Sequence, residues 1–327
     1  MAKRVYENKV DYSDRREFSF PSTTNSNKIK SYIEVGDNLI LLRGPHGTGK
    51  TTDIFLACRD LGAPLLETGG TFESYSELIG DMGIKDDGEI GFIGSVVLKA
   101  FTEGAVVSLS DADSTNVTVM KVLQCLTDRT PGFVEHKTKR FYEKHPNFCL
   151  VMSINPETAG RFLPAFYNRM AAVISYHADT AVMKVKKLME AKLPNTGNER
   201  FLLKLVESLD FIDEGCLALR SDGYTSLRQV ESLLYFLNPD MTEQEFKEAY
   251  TDRVFMPAAS CNVKNEDALM AVIEGYDYAN KISMLYNSYL DKTPETKTDD
   301  VVSDAAPPSG DDVVDMIDKF MSSVGGA

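Results

Sequence analysis

An α/β fold built on a parallel sheet and followed by an all-helical region is what this sequence predicts. Three observations carry that prediction. Between Tyr32 and Tyr176 short, sparingly charged apolar runs alternate with helical patterns, as expected for buried parallel strands with helices on both faces. After His177 the strand-like runs fade and only amphipathic helical patterns remain. At the first strand–helix junction stands a glycine-rich loop, Gly44-Pro45-His46-Gly47-Thr48-Gly49-Lys50-Thr51, which fits G-x-x-x-x-G-K-[ST].

Taken in chain order, residues 1–30 hold seven Lys or Arg against four Asp or Glu. With the small polar run Pro21 to Asn27 in the middle, they read as an extension, loosely ordered unless a partner holds it. Residues 31–178 are the expected α/β nucleotide-binding core. Its strand candidates are Asn38–Leu42, Pro64–Glu67, Ala105–Leu109, Cys149–Ile154 and Ala171–Ser175. Helical patterns at Thr51–Leu61, Ile93–Phe101 and Val117–Thr127 fill the gaps. Residues 179–292 are the expected helical domain, with amphipathic patterns at Thr180–Ala191, Arg200–Leu209, Ser226–Phe236 and Glu243–Tyr250, and one or two more helices over Glu266–Leu290. Thr242 and Glu245 have the spacing of a capping box. Residues 293–310, rich in Pro, Ser, Thr and Asp, read as a disordered linker. Residues 311–327 carry an apolar stripe at Val313, Met316, Ile317, Phe320 and Val324, a tethered amphipathic helix that docks either on the body or in a partner's groove.

Composition narrows the function classes. Of 327 residues 43% are hydrophobic and 26% charged, ordinary for a soluble globular chain. No run approaches the ~18 apolar residues of a membrane span. The N-terminus has no apolar core of a secretory signal. The five cysteines are scattered and show neither a disulfide framework nor metal spacing, which points to a reducing, cytoplasmic setting. A net charge of −14 argues against direct nucleic-acid coating. Residues 291–327 account for −6 of it.

The glycine-rich loop carries the chemistry. Its glycines (Gly44, Gly47, Gly49) let the backbone bend around Pro45 so that the amides of His46, Thr48 and their neighbours turn toward a phosphate chain, and the helix starting near Thr51 and Thr52 adds the positive end of its dipole. Lys50 is placed to reach the outer phosphates and Thr51 to hold Mg²⁺ through its hydroxyl. A metal site also needs an acid at a strand end. Asp111, after Ala105-Val106-Val107-Ser108-Leu109-Ser110, is the candidate.

With Tyr75-Ser76-Glu77-Leu78-Ile79-Gly80, with Lys99 to Val107, and with Val122-Leu123-Gln124-Cys125-Leu126-Thr127-Asp128-Arg129, this loop resembles the MoxR-type, dynein-related branch of AAA+ ATPases. Met152-Ser153-Ile154-Asn155-Pro156-Glu157 is similar to that family's strand ending in Asn-Pro. Leu163 to Met170 is similar to its leucine-proline-alanine stretch closing in Asp-Arg-Phe, and Tyr224 to Gln229 to its Ser-x-Arg at the start of a lid helix. The resemblance covers roughly residues 30–240. It implies an AAA+ core with a helical lid, ATP and Mg²⁺ as ligands, and a ring of subunits, six in the family. It further implies a protein partner, in some relatives one with a von Willebrand factor A domain. By the same resemblance Asn155 positions the attacking water, Arg169 (with Arg161 as rival) is the finger reaching a neighbour's nucleotide, and Arg228 is the lid arginine on the phosphates. A planar guanidinium suits both arginine roles because it spreads over the charge of a transferring phosphoryl group.

One departure stands out. The family places Glu directly after the metal-site Asp as the group that polarises water; here the order is Asp111-Ala112-Asp113-Ser114. Either Asp113 substitutes, or hydrolysis is slow and the protein works as an ATP-bound switch or scaffold. The leading expectation is a ring ATPase that remodels a protein partner. The alternatives are the weakly hydrolysing switch and the ATPase subunit of a nucleic-acid-acting complex.

Overall fold

The computed structural model describes residues 3–7, 9–69, 72–128, 130–155, 168–177, 179–196, 198–218, 225–259 and 278–290. The chain divides into two units, Met1–Ala178 and Asp179–Ala327.

In the first unit five strands form one parallel sheet: β1 (Leu39–Arg43), β2 (Leu65–Gly69), β5 (Val106–Ser110), β8 (Cys149–Ile154) and β9 (Ala172–Ser175), in the order β2-β5-β8-β1-β9. All five lie within a residue or two of the expected runs. Side chains alternate between the faces, so each strand feeds two cores. Leu39, Leu41, Val107, Leu109, Leu150, Met152 and Ile154 pack with α4 (Val96–Glu103) and α5 (Val117–Thr127). Ile40, Leu42, Val106, Cys149 and Val151 pack on the other face with α1 (Thr24–Glu34) and α2 (Lys50–Leu61). A short helix, α3 (Tyr75–Ile79), precedes the first of two antiparallel hairpins, β3 (Gly80–Ile84) with β4 (Ile90–Gly94) and β6 (Gly132–Val134) with β7 (Phe141–Glu143).

Both hairpins depart from the sequence reading. The stretch Ile93–Phe101 looked helical throughout, but Ile93 belongs to β4, and Ser95 caps α4 by accepting from Leu98 N. Gly91 and Gly94 in β4, with Gly80 and Gly83 in β3, hide the strand signal. At Gly80, φ is 134° and an added Cβ would lie 2.2 Å from the Ile93 carbonyl oxygen.

The N-terminal segment is also corrected. Residues 1–30 do not form a loose arm among those described. Arg4 is buried and donates six hydrogen bonds, to the carbonyls of Ile33, Gly36, Asp37, Pro146 and Phe148 and to Asn38 Oδ1. Tyr12 is buried, donates to Ala63 O and accepts from Leu65 N. Helix α1 begins inside the segment, at Thr24, behind a Thr23–Ser26 capping box. Polar composition suggested looseness, but Arg4, Tyr12 and Tyr6, which is buried and donates to Asn147 O, bind the segment to the core.

In the second unit the described elements are helices: α6 (Ala181–Glu190), α7 (Glu199–Ala218), α8 (Leu227–Phe236), α9 (Glu243–Tyr250), a π-helical turn (Thr251–Phe255), α10 (Met256–Ala259) and α11 (Tyr278–Leu290). Helix α7 runs nine residues past the pattern seen in the sequence. The Thr242–Glu245 capping box is present. The linker and stripe at 293–327, and the front of the Glu266–Leu290 pattern, lie outside the described residues. No helix among the described residues is long and apolar enough to cross a membrane.

Candidate functional site

Ligands of parallel α/β sheets bind beyond the carboxyl ends of the strands. Three such ends converge here. β1 leads into the glycine-rich loop, β8 next to it ends at Asn155, and β5, one strand further, ends at Asp111. The acid thus sits across β8 from the loop, not on the strand beside it.

The loop has the shape its sequence implies. Gly47 and Gly49 take positive φ, 71° and 85°, and Gly49 caps α2. Lys50 is buried, and its Nζ donates to the carbonyls of Gly44 and Pro45, 2.6 Å each. Burial pulls the Lys50 pKa down, while the nearby charges of Asp111 and Asp113 work against that shift. Lys50 and both acids therefore share one electrostatic neighbourhood. Thr51 is exposed on the first turn of α2, with Thr52 half-buried behind it.

His46, on the loop's outer side, touches both other strand ends. Asn155 Nδ2 lies 2.7 Å from His46 Nε2. If the amide donates, a neutral imidazole carries its proton on Nδ1, the nitrogen 4.0 Å from Asp111 Oδ1. The bridge brings His46, Asn155 and Asp111 into one cluster.

The turn after β5 bears on the missing glutamate. Asp111 adopts a left-handed conformation (φ 53°, ψ 42°), uncommon for a residue other than glycine, and leads into a short 3₁₀ turn, Ala112–Ser114. That kink sends Ala112 into the core beside Leu109, Val119 and Met120, where it is wholly buried. Asp113 is 6% exposed and its Oδ1 has no hydrogen-bond partner. Position 112 faces apolar side chains, while the next residue, Asp113, shares the neighbourhood of Lys50 with Asp111. Nothing in the sequence marked that kink.

Oxygen donors from Thr51 and Asp111 suit Mg²⁺, which is usually held by one or two carboxylates together with substrate phosphates. Among the described residues no group of three or more His, Cys, Asp or Glu could by itself hold a metal ion.

Of the two carried-over arginines, Arg169 stands apart from this cluster within the first unit. Arg169 Nε donates to Asp128 Oδ1 at 2.8 Å. It lies just before Ala171, whose N–H bonds Leu39 O at the start of β1. The loop follows the other end of that five-residue strand, about 15 Å away. Arg161 lies outside the described residues. Arg228 is exposed on the first turn of α8, behind a Ser226–Gln229 capping box. The turn before it is anchored from below: buried Lys184 donates to Asp213 Oδ2 (2.6 Å) and Thr225 Oγ1 (2.8 Å).

Comparison with known proteins agrees with the geometry. Residues 39–170 match the family model of the AAA domain, dynein-related subfamily. Over 118 residues the chain is 33% identical to Protein NorQ of Paracoccus denitrificans (strain Pd 1222), a match covering 36% of this chain and 43% of that protein. The match thus spans less than half the length of that relative. Residues 39–170 are an AAA+ domain of the dynein-related, MoxR-like branch.

Proposed function

We propose that this AAA+ domain binds ATP with Mg²⁺ and hydrolyses it, and that the chain works as a ring whose nucleotide state acts on a protein partner. The observation that carries the proposal is the convergence of Lys50, Asp111, Asp113 and Asn155 around one phosphate loop. In this reading Lys50 leaves the loop carbonyls for the outer phosphates, and the amides from His46 to Thr51 cradle the chain. Mg²⁺ at Thr51 and Asp111 would neutralise charge on the phosphate oxygens. Asn155 orients the attacking water and Asp113 accepts its hydrogen bond. Arg228 contacts the phosphates.

Arg169 cannot serve its own loop from the opposite end of β1, so its catalytic role requires a second copy of this chain. Hydrolysis is tested by phosphate release and ATP binding by calorimetry. Lys50→Ala should nearly abolish affinity, and equal affinity of variant and wild type would overturn the proposal.

The second reading, a weakly hydrolysing switch, keeps support from the absence of a glutamate after Asp111. The nucleic-acid-acting complex has no supporting feature among the described residues.

A further inference from the structure

We propose that Asp53 is a positioning residue for the phosphate loop, clamped by Tyr176 and Thr23 so that both ends of the loop are fixed against one tyrosine. This deepens the nucleotide-site reading above and rests on it.

The entry end of the loop lies directly on Tyr176. The Tyr176 N–H donates to Arg43 O at 2.7 Å, and Gly44 N–H donates to Ile154 O at 3.1 Å. A Cβ on Gly44 would stand 2.5 Å from Tyr176 Cβ and 2.7 Å from its carbonyl oxygen, so no side chain fits between them. The exit end is held by the same residue. Asp53 sits at the start of α2, where its N–H donates to Gly49 O at 2.9 Å. Its buried carboxylate accepts the Tyr176 hydroxyl on Oδ2 at 2.8 Å and the Thr23 hydroxyl on Oδ1 at 2.7 Å. Burial, and then the Asp53 charge, push the Tyr176 pKa far up, which keeps the phenol a donor.

The N-terminal segment closes the clamp from the other side. Thr23 caps α1, Arg59 on α2 donates to the carbonyls of Phe18 and Phe20, and Ser22 donates to Asp60. A loop with several glycines loses much conformational freedom when it orders around phosphates. Anchoring both ends lowers that cost before the ligand arrives. A buried carboxylate is itself costly without partners, and replacing it with an apolar side chain is often harmless to stability. Its gain here lies in direction: it aims the first turn of α2, whose amides face the anion.

The test is calorimetry on the full chain with two probes, ADP and inorganic pyrophosphate, for wild type, Tyr176→Phe, Asp53→Asn and the double variant, with melting temperatures recorded alongside. Pyrophosphate reports on the loop without the adenine, the helical unit or a neighbouring subunit. Each single variant should weaken both ligands by about five- to tenfold, the scale of one net intramolecular hydrogen bond, and the double variant no further than the worse single. Lower melting temperature with unchanged affinity, or fully additive losses, would show a packing role only and overturn the proposal. If Tyr176→Phe fails to fold, Thr23→Val removes the other bond to Asp53 and must lower affinity in the same direction. Wild type that binds neither probe would overturn the nucleotide reading itself, whereas wild type that binds while every variant matches it overturns this inference alone.

Discussion

Restoring the family's glutamate at position 112 should damage this protein, and neutralising Asp113 should silence it. By sequence register alone Ala112→Glu is the repair of a defective ATPase. The structure reverses that expectation, because Ala112 is wholly buried beside Leu109, Val119 and Met120. Forcing a further methylene and a carboxyl group into that position adds overpacking of about 1–3 kcal/mol. It also adds desolvation. A carboxyl whose pKa is driven up to about 8–9 by burial stays neutral at pH 7, which costs roughly 3.7 kcal/mol, since pH 7 lies ~2.7 units above the ordinary glutamate value at ~1.36 kcal/mol each. Together these approach the whole stability of a domain, about 5–15 kcal/mol. The expected result for Ala112→Glu is poor solubility, or a melting temperature lower by at least about 10 °C at roughly 2–4 °C per kcal/mol.

Asp113→Asn keeps the shape and removes only the charge. ATP affinity should be unchanged or tighter, since a negative group near Lys50 is gone. Turnover should fall about 10²–10⁴-fold, the value of general-base assistance. The assays are steady-state phosphate release, calorimetric ATP binding and thermal melting on the same preparations. An Ala112→Glu protein that melts like wild type and turns over tenfold faster would refute the reasoning, as would an Asp113→Asn protein with wild-type turnover.

Three further outcomes follow from named contacts. Arg169→Ala should leave ATP binding intact, depress turnover and impair mixed assemblies with wild type; sedimentation showing only monomer at every ATP concentration would count decisively against a neighbour's role. Arg4→Ala should cost about 2–4 kcal/mol in urea unfolding, because five backbone carbonyls and Asn38 lose a buried charged donor. Glu135, in the loop of the β6–β7 hairpin, is opposed by burial but held down to a pKa of about 2 by the Lys137 and Thr138 amides and the Thr138 hydroxyl. Its folded pKa lies below the unfolded value near 4.5, so its stabilisation is present above pH 4.5 and is lost as pH falls toward 2. Glu135→Gln should therefore melt lower than wild type at pH 7, and the gap should close on acidification; a gap independent of pH would rule the charge out.

What the sequence made legible, and what it hid, divides by the range of the interactions. The five sheet strands are dense apolar runs with one burial environment, and the phosphate loop is a local motif whose glycines, lysine and helix start lie within eight residues; both could be read in place. The β3–β4 hairpin could not, because its glycines interrupt the apolar alternation, and its pairing with Ser95 and α4 is settled only in three dimensions. The N-terminal segment misled for a related reason. Its polar composition is real, but one arginine finding six acceptors outweighs the composition of thirty residues. Asp53 was visible only as an acid within an apolar helix start, and its partners come from positions 23 and 176, at opposite ends of the first unit. The same distinction governs the catalytic question. A motif aligned letter by letter assigns a role to position 112, but side-chain direction after β5 is set by one backbone angle at Asp111, which no residue pattern records. That angle turns Ala112 inward and carries Asp113 to the neighbourhood of Lys50, so loss of the glutamate from its usual place need not mean loss of the carboxylate from the site.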